Sequence, residues 1–99
     1  MTPNLSIRQL QTFREIMRSG SVSAASRVLG RTQPSVSAML VNLEAELGFD
    51  LFERRKGRLI AKPEARFFFE EAEEILERIN HVAQTMRELG DLDRGPLNR

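Results

Sequence analysis

Small polar side chains open an otherwise apolar helical segment at residues 30–48, which read GRTQPSVSAMLVNLEAELG. Apolar residues recur here at spacings of four, three and four: Val36, Leu40, Leu43 and Leu47. This stripe predicts a helix over 33–47 with one buried face. Thr32 is the expected N-cap, and Pro34 is tolerated because first-turn N–H groups have no partner within the helix. Gln33, Ser35 and Ser37 then offer hydrogen-bonding groups at the positive end of the helix dipole, where we expect them to serve something outside the core.

A second group of candidate residues is basic and follows this helix, in the sequence LFERRKGRLIA. Short apolar runs around a glycine predict a β-hairpin with strands 51–54 and 58–61 and a turn at 55–57. Its cations are Arg54, Arg55, Lys56 and Arg58. Such cations neutralise phosphates. The alternative is a solvated turn that resists edge pairing, in which Arg54 pairs with Glu53 or Glu46.

Two shorter helices are expected ahead of these elements. Ser6 and Gln9 have the spacing of a capping box, so a helix is predicted to begin at Ile7, and Gly20 is its expected stop. Ser21 is placed to cap a second helix over 22–29, which Gly30 ends. Together with the helix over 33–47 they give three helices joined by tight turns.

A long helix is predicted from Pro63 to about Leu89, closed by Gly90. Its apolar positions alternate spacings of four and three: Phe68, Ala72, Ile75, Ile79, Val82, Met86 and Leu89. That pattern is typical of a helix that packs lengthwise on another, and three short helices cannot cover its whole length. We therefore expect this seam to be a dimer interface. The predicted division is 1–62, 63–90 and a polar tail over 91–99.

Composition limits the classes of protein that fit. The 99 residues are 40% hydrophobic and contain no cysteine, which suits one small domain without disulfides or thiolate metal sites. No signal peptide or membrane span is recognisable, so a cytoplasmic protein is expected. Residues 1–66 hold eleven Lys/Arg and six acids, whereas residues 67–99 hold four Arg and eight acids. The basic half is a candidate for binding nucleic acid.

Taken together, the elements predict a mainly α winged helix-turn-helix with a two-stranded wing, followed by the long helix. Its predicted partner is double-stranded DNA. The front of the third helix fits the major groove, where Gln33 can pair with adenine and the two serines can bond bases or phosphates. Arg54 and Arg58 fit phosphates or an adjacent minor groove.

These motifs resemble the amino-terminal region of LysR-type bacterial transcriptional regulators. SVSAASRVL, TQPSVS, LEAELG and LFER occur in the order and spacing that such proteins show. The resemblance implies that the helix opened by QPSVS enters the major groove, that the hairpin is the wing, and that the long helix pairs with its counterpart. The residues it implicates in DNA contact are Thr32, Gln33, Pro34, Ser35 and Ser37, with Arg54 at the wing.

Three features depart from the family pattern. Basic or long polar residues often follow SVS in the family, whereas this chain has Ala38 and Met39. Readout is therefore expected to use Gln33, the serines and apolar contact of Ala38 with thymine methyl groups. Lys62 stands where a better helix cap is usual. The family normally continues into an effector-binding domain, so the resemblance implies a DNA-binding fragment or a naturally short relative.

Other function classes fit less well. No phosphate-binding glycine loop or nucleophile–base pair is present, so no catalytic residue, cofactor or metal is predicted. His81 is not expected to be a ligand. The remaining alternative is a protein-interaction module that uses the winged helix only as scaffold. The acids lie mostly in the first half of the long helix, and Arg78 and Arg87 lie in its second half, which favours an antiparallel homodimer; a higher oligomer of a full-length form stays open.

Overall fold

The computed structural model describes residues 4–93, which form four helices and one hairpin. The order is α1 (Ile7–Ser19), α2 (Val22–Leu29), α3 (Gln33–Leu47), β1 (Phe52–Arg55), β2 (Arg58–Ala61) and α4 (Pro63–Asp93). The predicted fold class, a mainly helical winged helix-turn-helix with a long final helix, is confirmed. In the described part of the chain, no helix combines the length and the apolar character that crossing a membrane requires.

The bounds of the first three helices follow from local capping. The Ser6 hydroxyl accepts from the Gln9 backbone N–H at 3.1 Å, and the Gln9 side chain accepts from the Ser6 N–H at 2.9 Å. This is the predicted capping box. Thr32 caps α3 by accepting from the Ser35 N–H at 3.2 Å. Gly30 ends α2 with a φ of 67°, a left-handed conformation that glycine adopts without strain.

The core is small and is shared by every element. Its fully enclosed side chains include Phe13 and Ile16 of α1, Val36 and Leu43 of α3, and Leu51 just before the hairpin. The Phe13 ring lies 6.0 Å from the ring of Phe52 in β1 and 4.9 Å from that of Phe68 in α4. Burying one such side chain contributes about 1.5–3 kcal/mol. The helices, the hairpin and the long helix are thus held against one another by the same buried side chains.

The hairpin is antiparallel, and its first strand lies one residue later than predicted. Arg55 pairs with Arg58, which leaves only Lys56 and Gly57 in the turn. Both turn residues have positive φ, 50° and 75°, the requirement of a two-residue turn that matches the twist of the strands. This turn fixes the register, so Arg55 belongs to β1 and Leu51 precedes it.

The long helix continues through Gly90, so the predicted stop there is wrong. α4 contains 31 residues, about 46 Å at 1.5 Å per residue. A glycine inside a helix costs only about 1 kcal/mol relative to alanine, and residues 91–93 extend the helix without a proline or β-branched side chain. The first three residues of the predicted tail are therefore helical, and the others lie outside the described residues.

The first half of α4 packs on the chain's own core, which changes part of the predicted dimer seam. Ala72 is fully buried, and Phe68 and Ile79 pack against the same cluster. Ala72 therefore has no surface to give to a partner, and most of the Phe68 ring is already used inside the chain. The rest of the seam is open to solvent, with exposed fractions of 44% for Ile75, 46% for Val82, 60% for Met86 and 52% for Leu89.

An ion cluster adds a second attachment between α1 and α4. Arg18 donates two hydrogen bonds to the carboxylate of Glu73, at 3.0 and 2.9 Å. Arg14 lies 3.7 Å from the same carboxylate. A bidentate Arg–carboxylate pair has a defined geometry, so this contact adds to the packing that sets the direction of α4. The described chain measures 63 × 33 × 19 Å because the end of α4 projects from that body.

Candidate nucleic-acid interface

The first turn of α3 faces both inward and outward. Val36 is fully buried, and its neighbours Gln33, Pro34 and Ser35 are exposed, as are Thr32 and Ala38. Ser37 is half-buried at the edge of the same surface. The buried face fixes how α3 is rotated, and that rotation brings the polar groups of residues 32–38 to the surface. The structure thus brings together the α3 residues that the sequence singled out.

Two of these residues, Gln33 and Ser37, line a cleft. The cleft has a volume of about 490 Å³, and it lies between the first turns of α2 and α3 and the hairpin. Its polar lining comes from all three elements: Ser21, Ser23, Gln33, Ser37, Arg54 and Arg58. Neither first turn carries an acidic residue, so the positive ends of two helix dipoles remain uncompensated there. The surface suits an anionic partner.

The hairpin arginines divide into paired and unpaired groups. Arg55 forms an ion pair with Glu53 at 3.0 Å. Within residues 4–93, Arg54 and Arg58 form no ion pair. The sequence alternative that Arg54 pairs with Glu53 or Glu46 therefore fails: Glu53 takes Arg55, and Glu46 accepts from the Asn4 N–H at 2.7 Å. Both unpaired arginines line the cleft, where they are available to a ligand.

A second cleft lies between the later part of α3 and the hairpin, and its charges point to a different character. Glu44, Asp50 and Glu53 contribute carboxylates to it, beside the cations Arg54, Arg55 and Lys62. Three carboxylates face three cations in this cleft, so phosphates would meet both signs of charge there. The cleft at the starts of α2 and α3 has two arginines and no carboxylate among its lining residues, so it suits a polyanion better. Among the described residues, this cleft included, no group of three His, Asp or Glu side chains is arranged to hold a metal ion.

Arg31, to which sequence reasoning gave no role, anchors the turn between α2 and α3. Its guanidinium donates to the hydroxyl of Thr12 in α1. Thr12 is buried, and its hydroxyl donates to the Arg8 carbonyl at 2.8 Å. The turn that leads into α3 is therefore tied to α1. The available signal was a threonine on the apolar face of α1, where a buried hydroxyl needs a partner.

Ser23 is a second residue without a role in the sequence analysis. Its hydroxyl accepts from Gln33 Nε2 at 3.1 Å and from Arg27 Nη1 at 3.1 Å. Ten residues separate Ser23 from Gln33. No spacing rule connects them, because the contact depends on how α2 crosses α3. The bond links the first turns of the two helices at the floor of the cleft.

Comparison with known proteins identifies the domain. Residues 7–66 match the family described as bacterial regulatory helix-turn-helix protein, lysR family. The chain is 37% identical over 92 residues to the HTH-type transcriptional regulator DgcR of a Pseudoalteromonas species, covering 93% of this chain and 32% of that protein. It is 36% identical over 90 residues to the regulatory protein NocR of Agrobacterium tumefaciens, covering 91% and 30%. The chain spans about a third of the length of these relatives.

Solved structures agree with the sequence comparison. The CbnR_DBD–DNA complex matches with a TM-score of 0.82 and 29% identity over 87% of this chain and 99% of that one. The BenM_DBD complex with catB site 1 DNA matches with a TM-score of 0.83 and 28% identity, covering 87% and 97%. These relatives are regulators, which agrees with the prediction that the chain is not an enzyme. The chain belongs to the lysR family of bacterial regulatory helix-turn-helix proteins.

Proposed function

We propose that this chain binds double-stranded operator DNA, with the first turn of α3 in the major groove and the hairpin on the adjacent backbone or minor groove. The observation that carries the proposal is the cleft in which Gln33 and Ser37 lie beside the unpaired Arg54 and Arg58. The complexes of CbnR_DBD and BenM_DBD with DNA support it. They favour it over the interaction module, which gives these polar groups no ligand.

Specific recognition is assigned to the exposed start of α3. The Gln33 amide carries both a donor and an acceptor, the pattern that pairs with adenine N7 and N6. Ser35 and Ser37 bond bases or phosphates, and the Ala38 methyl group meets thymine methyl groups. Thr32 and Pro34 shape the first turn of α3 and lie against the sugar-phosphate backbone of the DNA. The positive end of the α3 dipole attracts the phosphates on either side of the groove.

The hairpin contributes charge rather than base recognition. Arg54 and Leu59 are cross-strand partners, and both line the cleft, so Arg54 points towards the helices. Arg58 stands next to the turn at the same opening. A cation that already has no carboxylate partner gives up no ion pair on meeting a phosphate. Both arginines are therefore placed to contact DNA phosphates or to enter a minor groove.

A homodimer through α4 completes the proposal. Ile75, Val82, Met86 and Leu89 form an exposed apolar stripe beyond the part of α4 that packs on the core. Phe68, Ala72 and Ile79 belong to the same apolar repeat but pack against the chain's own core. A second copy of α4 in antiparallel orientation covers the stripe. The acidic first half of each helix then lies beside the second half of the other, which carries Arg78 and Arg87. Such a dimer holds two recognition helices for two inverted half-sites.

The complete protein is proposed to be a transcriptional regulator of the bacterial cytoplasm, where the operator is. Since the chain spans about a third of the length of its named relatives, an effector-binding domain beyond residue 99 is part of this proposal. The DNA-binding step itself is assigned only to side chains, helix dipoles and backbone, with no cofactor.

Replacing Gln33 with alanine is expected to weaken binding to the cognate duplex by about 1–3 kcal/mol, because a bidentate base contact is lost. Binding to random duplex DNA should stay nearly unchanged, since no charge is removed. Titrations of both duplexes at one salt concentration measure this. Gln11→Ala, at an exposed position on α1, is the matched control. Equal weakening on cognate and random DNA would reject the role of Gln33.

Replacing Arg54 or Arg58 with alanine is expected to make binding less dependent on salt. Each lost phosphate contact lowers the slope of log K against log salt by roughly 0.9. Arg55→Ala removes the same charge from a residue already paired with Glu53 and should change the slope less. The slopes come from affinities measured over a range of salt concentrations. Unchanged slopes for both Arg54 and Arg58 would return the hairpin to the role of a solvated turn.

Val82→Glu together with Met86→Glu is expected to separate the dimer, because a two-fold interface would bury these carboxylates near their copies. Both positions are exposed within one chain, so the fold should survive. Affinity for a two-half-site duplex should then fall to near that for one half-site. Sedimentation measures the mass, and Asn80→Glu, on another face of α4, is the control. A folded monomer in the unmodified protein would contradict the dimer.

A further inference from the structure

We propose that Ser23 is a positioning residue for base recognition: its hydroxyl holds the Gln33 amide in the orientation that reads adenine. The inference rests on the proposed function, because it concerns the side chain assigned there to base contact. It adds a residue of α2 to the specificity of α3.

The hydrogen-bond geometry carries the first step. Ser23 Oγ accepts from Gln33 Nε2 and from Arg27 Nη1, both at 3.1 Å. A serine hydroxyl has two acceptor lone pairs, so these two bonds fill its acceptor capacity. Arg27 lies one helical turn after Ser23 in α2 and holds the hydroxyl oxygen from the other side. Ser23 is half-buried at the floor of the cleft, whereas Gln33 is exposed.

The bond to Ser23 leaves part of the Gln33 amide available. The Nε2 group of glutamine has two hydrogens and Oε1 accepts hydrogen bonds. One hydrogen is used by Ser23, which leaves one donor and one acceptor on the same amide plane. Adenine presents the complementary pair in the major groove, an acceptor at N7 and a donor at N6. Bidentate pairing uses Oε1 and the Nε2 hydrogen on the same side as Oε1, so the proposal assigns the other Nε2 hydrogen to Ser23.

Holding Gln33 in place before binding lowers the entropy cost of recognition. An exposed glutamine side chain samples many rotamers, and binding that fixes it loses this freedom. A side chain already held in the free protein loses less on binding, so a preorganised contact gives higher affinity. Removing the Ser23 hydroxyl frees the amide while leaving Gln33 in place. We expect an affinity loss of roughly 3- to 10-fold on cognate DNA, the size of one immobilised side chain.

The test uses the 99-residue chain and the tightest duplex selected from a random pool. Single adenines in that duplex are replaced with 7-deazaadenine, which lacks the N7 acceptor. The unmodified protein should lose affinity at one position per half-site, and Gln33→Ala should be insensitive there. Ser23→Ala should show the expected affinity loss and at least a threefold smaller penalty at that position. Ser23→Thr keeps a hydroxyl and should restore both values.

Ser26→Ala is the matched control for an effect on α2 itself. Ser26 belongs to the same helix, and its hydroxyl donates only to the Ser23 carbonyl, at 2.7 Å. It should keep the full 7-deazaadenine penalty even if its melting temperature falls. NMR relaxation of the free protein gives a readout that needs no DNA. The Gln33 side-chain amide should become more mobile on the nanosecond timescale in Ser23→Ala, but not in Ser26→Ala.

The outcomes separate this inference from the proposed function. Sequence-preferring binding together with a full penalty in Ser23→Ala would overturn the role of Ser23 alone. The same holds if Ser23→Ala leaves the Gln33 amide as ordered as before. If Ser23 acts through Gln33, the double variant Ser23→Ala/Gln33→Ala should bind cognate DNA about as tightly as Gln33→Ala alone. Any further loss that comes from the contact with Arg27 is measured separately with Arg27→Ala. Absence of salt-dependent DNA binding by the unmodified chain would contradict both proposals.

Discussion

The arrangement of the molecule depends on one buried contact group, the Phe13 ring between the rings of Phe52 and Phe68. Phe13 belongs to α1, Phe52 to the hairpin and Phe68 to the long helix, so three elements meet on one side chain. A chain of this size has room for only one core. The position of the wing relative to α3, and the direction of α4, are therefore set by the packing that also keeps the chain folded.

This shared core explains how a small domain can present a defined surface. Val36 and Leu43 fix the rotation of α3, and the Arg31–Thr12 bond ties its beginning to α1. Polar groups at 32–38 are then held in place without being part of the core. The hairpin residues Arg54 and Arg58 reach the same cleft, and the buried Phe52 side chain anchors the hairpin to the core. Specific binding benefits from this preorganisation because fewer groups have to be ordered on contact.

The sequence predicts the elements well where the determining signal is local. Ser6 with Gln9, Ser21 and Thr32 mark helix starts, and the first two helix-ending glycines, Gly20 and Gly30, mark stops. The family resemblance then predicts which surface is used. Predictions were less accurate where distant packing decides. Gly90 looked like a stop, yet the residues after it allow the helix to continue, and the first strand moved by one residue because of the backbone conformation at Lys56.

The packing of the long helix also could not be predicted from local sequence patterns. An apolar repeat does not distinguish the chain's own core from a partner, so it predicts Phe68 and Ala72 in the seam although they pack inside the chain. The contacts of Ser23 with Gln33 and of Arg31 with Thr12 join residues 10 and 19 positions apart. Spacing rules within one helix cannot reach such pairs. Only the crossing of α1, α2 and α3 reveals them.

The central claim is that one surface, made by the starts of α2 and α3 and the hairpin, meets the DNA. The most direct measurement is a titration of the isotope-labelled chain with its selected duplex, followed through backbone amide shifts. We expect the largest amide shifts at residues 21–23, 32–38 except Pro34, and 54–58. Shifts concentrated at Glu44 and Asp50 without residues 21–23 and 32–38, or on the exposed face of α4 alone, would contradict it.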